Sequence, residues 1–516
     1  MLLKSWFDEI RSLAMENTVL FVLSYLLLIS ALDSSFKMLL GTNLNISLPY
    51  FYLNVLSFGI LYFLLLSILH FFSNTDSINN SVMKLSSIFW ILATAAVITC
   101  AVGGNISFLN LMNLSSIKEL LLFGNKINNG LSVFYLIVLL MSILIIENSK
   151  KDKLKSSIYG LFGALSSFVS FLVVFSQYNI TGISGNDLFS IAYQKHLGIL
   201  LLILLTQLFL VAMIFLFIWK RDMLKNYFSN IKGFRSLHFV SMTAVGFIVL
   251  SQLNGHIFEF TDPANLTFFV LPPLCMVLTW QFTAMVNDIY DIEIDRVAHP
   301  DRPLVTGQIS LSTYRNTAIV LAVLSLMISL YLGLLLTLLN LTFITAAIMY
   351  SKPPVRLKER VYGYICVGYA SVVAFHFGVY SQILWPLSVK QGRWFILEGV
   401  PIFRDIFSIS LIIFVALSIS PYINALSDYE ADKKTGVNNI YTIYGRETGK
   451  KIVTVLIIFL FLSPLPLFYD LLDLALFLPI SLIAAYIYYT HEDHRPIFIL
   501  YFMIILYSVV RYTGFL

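Results

Sequence analysis

Apolar runs of about 20 residues recur along the whole chain, and that recurrence constrains the fold more than any single residue does. A helix of about 20 residues crosses the hydrocarbon layer of a bilayer, where each backbone N–H and C=O must be bonded inside the segment. Six such stretches lie near 18–40, 48–72, 84–104, 131–147, 156–177 and 194–219. Nine more follow near 236–255, 264–288, 313–331, 333–349, 361–384, 406–427, 452–468, 471–490 and 495–513. With 58% hydrophobic and only 12% charged residues, and a mean hydropathy of +0.84, the composition excludes an ordinary soluble domain. The expected fold is an all-α polytopic membrane protein of about 15 transmembrane helices. Two of the divisions rest on helix breakers, one at Gly333 and one around Pro464 and Pro466.

Basic residues orient these helices. Lys150, Lys151, Lys153 and Lys155 follow the fourth stretch, and Lys220, Arg221, Lys225, Lys232 and Arg235 follow the sixth. Arg296 and Arg302 come next, then Lys352, Arg356, Lys358 and Arg360, then Lys433, Lys434, Arg446, Lys450 and Lys451. With the N-terminus inside, all of these clusters fall in the cytoplasm, as the positive-inside rule requires. One loop opposes the trend, with Lys390, Arg393 and Arg404 outside, partly balanced by Glu398 and Asp405. The expected topology is an integral, multi-pass membrane protein with its N-terminus cytoplasmic and its C-terminus outside. The net charge of +5 is thereby explained by topology. No compact basic patch with interleaved aromatics lies outside the loops, so a nucleic-acid partner is not expected. Cys100, Cys275 and Cys366 fall in apolar stretches without metal or redox spacing and read as packing residues. The first 17 residues carry Asp8, Glu9 and Glu16 among the basic residues and read as an amphipathic lead-in rather than a signal peptide.

The polar, basic stretch 220–235 divides the chain into an N-terminal six-helix region, 1–230, and a second region, 231–516. The first has almost no ionisable residues within its apolar stretches. His70 and His196 sit at stretch edges, and the Asn-x-Ser/Thr triplets at Asn45, Asn105, Asn113 and Asn179 fall on the outer face. None of these carries a chemistry.

The second region carries two acidic motifs, each closing an apolar run. In the first, Asn287, Asp291 and Asp295 are spaced i, i+4, i+8 and share a helical face, with Asp288 on its flank. In the second, Asp428 and Asp432 repeat the i, i+4 spacing. Carboxylates are costly in a membrane, and two such clusters on one side point to function. Mg²⁺ takes an octahedron of oxygen ligands, commonly a few carboxylates with phosphate oxygens and water. The basic segments that follow supply anion binders. Arg296, Arg302, Tyr350, Lys352 and Arg356 are the candidates for diphosphate oxygens. Lys358, Arg360, Lys450 and Lys451 read instead as positive-inside anchors.

These residues give the chain a resemblance. NDxxDxxxD is filled by Asn287, Asp288, Asp291 and Asp295, and DxxxD by Asp428 and Asp432, followed by Lys433, Gly436 and Gly445. The run from Arg302 to Ser310 and the Tyr350–Arg356 segment complete the set in order. Residues 231–516 thus resemble the UbiA superfamily of intramembrane prenyltransferases, whose fold is a bundle of nine transmembrane helices. Ala425, Ala431 and Asn439 depart from common family residues, outside the core aspartates. The resemblance implies Mg²⁺ held by Asn287, Asp291, Asp295, Asp428 and Asp432 on a prenyl diphosphate donor. Asp288, Arg302, Lys352 and Arg356 would then be catalytic, with Arg296 and Tyr350 also on the diphosphate. Phe282, Tyr362 and Phe375 are candidates to shield an allylic cation. A lipid-soluble or polar-headed acceptor receives the prenyl group. The alternatives are sugar-phosphate transfer to a prenyl phosphate, or a non-catalytic lipid-binding or scaffolding subunit. A transporter would need ionisable residues in mid-membrane or broken helices in repeated halves, and neither pattern stands out.

Overall fold

The computed structural model describes residues 55–56, 59–69, 194–219, 233–254, 263–298, 300–385, 404–426, 438–468, 470–491 and 495–512, with a few isolated positions between 221 and 231 and at Tyr429 and Lys433. Among the described residues every regular element is helical. The long elements are α1 (Gln194–Trp219), α2 (Gly233–Asn254), α3 (Pro263–Tyr290), with the short α4 (Ile292–Ala298) continuing it. Then come α5 (Leu311–Leu332), α6 (Leu334–Ser351), α7 (Ile365–Trp385) and α8 (Arg404–Ala425). The short α9 (Ile440–Tyr444), α10 (Arg446–Leu462), the single turn α11 (Leu465–Phe468), α12 (Leu471–Thr490) and α13 (Arg495–Tyr512) complete the chain. Six of the described segments are long and apolar enough to cross a membrane: Phe269–Tyr290, Leu311–Leu332, Leu334–Ser351, Arg404–Ala425, Arg446–Phe468 and Leu471–Thr490. The protein is an integral membrane protein whose described residues are all-helical in their regular structure. Most of the first five apolar stretches lie outside the described residues.

Local sequence explains where the helices stop. Gly333 closes α5 and opens α6 with φ at 135°, a conformation that costs a glycine little and an L side chain much. Ser310 caps α5, its hydroxyl accepting from the Thr313 N–H at 3.2 Å. At the other division, α10 ends before Pro464 and one turn containing Pro466 leads to α12, whose first N–H groups are capped by Asp470.

With lipid outside, close contact and internal polar bonds hold helices together where water would otherwise drive them together. α2 and α7 meet at Gly246 and Gly378. A methyl group at either would run into a backbone carbonyl, that of Phe375 or of Thr243. Asn340 of α6, fully buried, joins α3 and α5. Its Oδ1 accepts from Thr279 Oγ1 at 2.8 Å, and its Nδ2 donates to Ser325 Oγ at 3.2 Å and Ser329 Oγ at 3.4 Å. Apolar residues do the rest: Phe282, Met285 and Val286 of α3 pack with Leu304, Ile309 and Tyr314. That last cluster ties the loop after α4 onto α3 and so sets the floor of the site.

Candidate active site

Four pieces of chain converge at the end of α3: the end of α3 itself, α4, the loop 300–310 and the turn after α6. The helix breaks at Asp291, yet Asp291 N–H still bonds Asn287 O at 2.9 Å and Asp295 N–H bonds Asp291 O at 2.8 Å. Helical phase therefore carries through the break, and Asn287, Asp291 and Asp295 keep the i, i+4 relation. Asp288, Asp291 and Asp295 are only 2%, 8% and 6% exposed. Three carboxylates so withdrawn from water need cations, because an unpaired buried charge costs several kcal/mol, on the order of 3–5.

The loops bring them. Arg302 Nη1 donates to Asp288 Oδ1 at 3.1 Å and also to Asp295 Oδ2, bridging the two carboxylates. Tyr314 donates its hydroxyl to the other oxygen of Asp288 at 2.9 Å. On the opposite flank, Arg356 Nη2 donates to Asp291 Oδ1 at 3.2 Å, and Lys358 Nζ donates to the same oxygen. Lys358 Nζ also stands 3.5 Å from Asn287 Oδ1, which accepts from Ser351 Oγ at 3.4 Å. Three carboxylates thus face three cations. Arg356 itself is left-handed, with φ at 38° and ψ at 60°, where a non-glycine residue stores about 1–3 kcal/mol of strain. That kink starts the 3₁₀ turn Leu357–Glu359 and throws Lys358 back over the carboxylates, while Arg356 Nε lies 2.9 Å from Glu359 Oε1. Gly363 lets the chain pass against the Leu357 carbonyl as it enters α7.

The other described site candidates do not join these ion pairs. Arg296 is exposed and pairs with Glu293 at 2.8 Å, and Lys352 closes α6 through its backbone N–H to Ile348 O with its side chain exposed. Tyr350 is half-buried in the last turn of α6. Phe282 and Phe375 are packed in apolar clusters, whereas Tyr362 is exposed. Asp428 and Asp432 lie outside the described residues. Their flanks are described: Lys433 Nζ sits 5.7 Å from the centre of the Tyr429 ring. Two residues at the centre were not singled out for this role. Lys358 read as an anchor, and its spacing from Arg356 gave no sign of the reversal between them. Nothing in the sequence pattern marks Tyr314.

Among the described residues, no three His, Cys, Asp or Glu side chains close on one point. The donors at hand are nevertheless those a hard divalent cation takes: carboxylate and amide oxygens, with no sulfur or imidazole. Asn287 Oδ1 and Asp291 Oδ1 already bracket one positive charge, the Lys358 ammonium. The residues present fit such an ion.

The model of the UbiA prenyltransferase family matches residues 239–503. A digeranylgeranylglyceryl phosphate synthase of Sulfolobus acidocaldarius is 28% identical over 246 residues, 47% of this chain and 82% of that protein. A 2-acylphloroglucinol 4-prenyltransferase of Humulus lupulus is 30% identical over 178 residues, 34% of this chain and 40% of that protein. A solved UbiA homologue from Archaeoglobus fulgidus, bound to GPP and Mg²⁺, is 22% identical, with 56% of this chain and 99% of that one covered and a TM-score of 0.38. The chain belongs to the UbiA prenyltransferase family and is an integral membrane prenyltransferase.

Proposed function

We propose that this protein moves a prenyl group from a prenyl diphosphate to a membrane-associated acceptor, using Mg²⁺ at the end of α3. The observation that carries the reading is the buried charge cluster: Asp288, Asp291 and Asp295 against Arg302, Arg356 and Lys358. Asn287, Asp291 and Asp295, with Asp428 and Asp432 of the second motif, are the residues that would hold the metal. When bound, the ion neutralises diphosphate charge. Arg356 and Lys358 then turn from Asp291, and Arg302 from Asp295 while it keeps Asp288, to the diphosphate oxygens, where negative charge grows as the allylic C–O bond breaks. The bond's electron pair leaves on diphosphate, a lone pair of the acceptor forms the new bond to the prenyl carbon, and the acceptor's proton is released. Lys352 and Arg296, both exposed, belong on this reading to donor entry, and Tyr350, near Asp291, to the diphosphate.

For the acceptor, the reading favours a polar-headed glyceryl phosphate lipid over an aromatic ring. Its support is similarity to digeranylgeranylglyceryl phosphate synthases over most of their length, against less than half of the phloroglucinol prenyltransferase. The reading keeps the N-terminus and the site in the cytoplasm, the C-terminus outside, and 1–230 as a separate membrane region ahead of the catalytic bundle. The test supplies purified protein with geranylgeranyl diphosphate, Mg²⁺ and single acceptors: a prenylglyceryl phosphate, a quinone-precursor aromatic or a chlorophyll-type ring. Prenylation of the glyceryl phosphate is expected. Prenylation of a ring alone would overturn the acceptor assignment, and transfer to none would overturn the reaction.

A further inference from the structure

We infer that Tyr314 is a positioning residue for this reaction, holding Arg302 at the diphosphate site through Asp288. The inference rests on the reading of the charge cluster given above. Asp288 uses both carboxylate oxygens in different directions: Oδ1 accepts from Arg302 Nη1 at 3.1 Å and Oδ2 from the Tyr314 hydroxyl at 2.9 Å. An arginine held by one freely rotating carboxylate is poorly aimed. Arg302 is held by two, Asp288 and Asp295. Of these, Asp295 is the one assigned to the metal, so on substrate binding Arg302 gives up that partner. Among the described residues Asp288 then remains as its one carboxylate anchor, and the Tyr314 hydroxyl fixes the orientation of that anchor. In a site shielded from water such charge-assisted bonds are strong and mutually reinforcing.

Tyr314 suits the task by its own support. The residue is 1% exposed and sits in the first turns of α5, its N–H bonded to Ser310 O at 3.0 Å. Its ring packs in the cluster of Phe282, Met285, Val286, Leu304 and Ile309. Leu304 and Ile309 come from the loop that carries Arg302, so one ring buttresses the loop while its hydroxyl sets the carboxylate. Asp288 accordingly has a different duty from Asn287, Asp291 and Asp295, although it stands in the same motif.

Tyr314→Phe keeps the ring and removes only the hydroxyl. The test measures steady-state prenyl transfer from geranylgeranyl diphosphate and, without turnover, binding of inorganic pyrophosphate with Mg²⁺, in four proteins: wild type, Tyr314→Phe, Arg302→Gln and the double variant. Tyr314→Phe is expected to lower kcat about tenfold, as loss of a bond to a charged group does, and to weaken pyrophosphate binding several-fold. Thermal melting is expected to fall modestly, with the protein still folded at the assay temperature. In the Arg302→Gln background the same substitution is expected to add less than about twofold to either readout. Equal losses in both backgrounds would mean a purely structural tyrosine, and wild-type kcat and binding in Tyr314→Phe would mean no role; either overturns the inference. Should Tyr314→Phe fold poorly, Asp288→Asn cuts the same path, and it too must lose its effect in the Arg302→Gln background. A wild-type protein that neither binds pyrophosphate nor transfers a prenyl group would instead bring down the reaction itself, and this inference with it.

Discussion

At the residue scale, the site contrasts lysines that a linear chain makes look alike. Lys352 and Lys358 are both basic residues of one short loop, yet Lys352 is exposed at the end of α6 and Lys358 reaches Asp291 and Asn287. Lys358→Met is therefore expected to lower kcat at least about tenfold, the cost of a lost bond to a charged group, while Lys352→Met costs less than about threefold. Steady-state kinetics on the two variants decides it, and the reverse order would show that Lys352 is the working cation. The carboxylate stripe was legible in the sequence because helical periodicity alone fixes which of Asn287, Asp288, Asp291 and Asp295 share a face. Lys358 and Tyr314 were not, because their contacts arise from the left-handed kink at Arg356 and from the packing of α5 on α3. Neither is a matter of local spacing.

At the element scale, a similar divide separates helix ends from helix neighbours. Breaks at Gly333 and around Pro464 and Pro466 follow from backbone chemistry and are visible in the chain. The crossing of α2 and α7 is not, since helices apolar all round carry no marked face to show what they pack against. Their contact rests on Gly246 and Gly378, each pressed against the other helix's backbone. Gly378→Val is expected to destabilise the bundle by about 1–3 kcal/mol, as overpacking does. Thermal melting in detergent would register a lowered midpoint. An unchanged midpoint would mean that α2 and α7 do not meet there. Asn340→Leu makes the complementary test inside α3, α5 and α6. It removes the bonds that Asn340 makes to Thr279, Ser325 and Ser329, whose hydroxyls keep carbonyl partners in their own helices, and a loss of about 0.6–2 kcal/mol, read by thermal melting, is expected.

At the scale of the whole molecule, the described carboxylates of the site are matched by cations supplied from loops. The bundle thus has no need of a metal to hold Asp288, Asp291 and Asp295 out of water. Chelation is expected to abolish turnover and to leave the protein folded, its melting midpoint lowered only by the mass-action term that bound Mg²⁺ had added. The second region is readable because its ionisable residues gather at helix ends where they must be explained. Residues 1–230 are nearly silent for the opposite reason, having almost no ionisable residue in their apolar stretches. The most direct test of the account is pyrophosphate release from geranylgeranyl diphosphate by purified wild type and Asp291→Asn, with a prenylglyceryl phosphate acceptor, with and without Mg²⁺. The account predicts release that requires both Mg²⁺ and acceptor, and a loss of about tenfold to hundredfold in Asp291→Asn measured below its own, lowered, melting midpoint. Release that ignores Mg²⁺, or an Asp291→Asn protein as active as wild type, would contradict it.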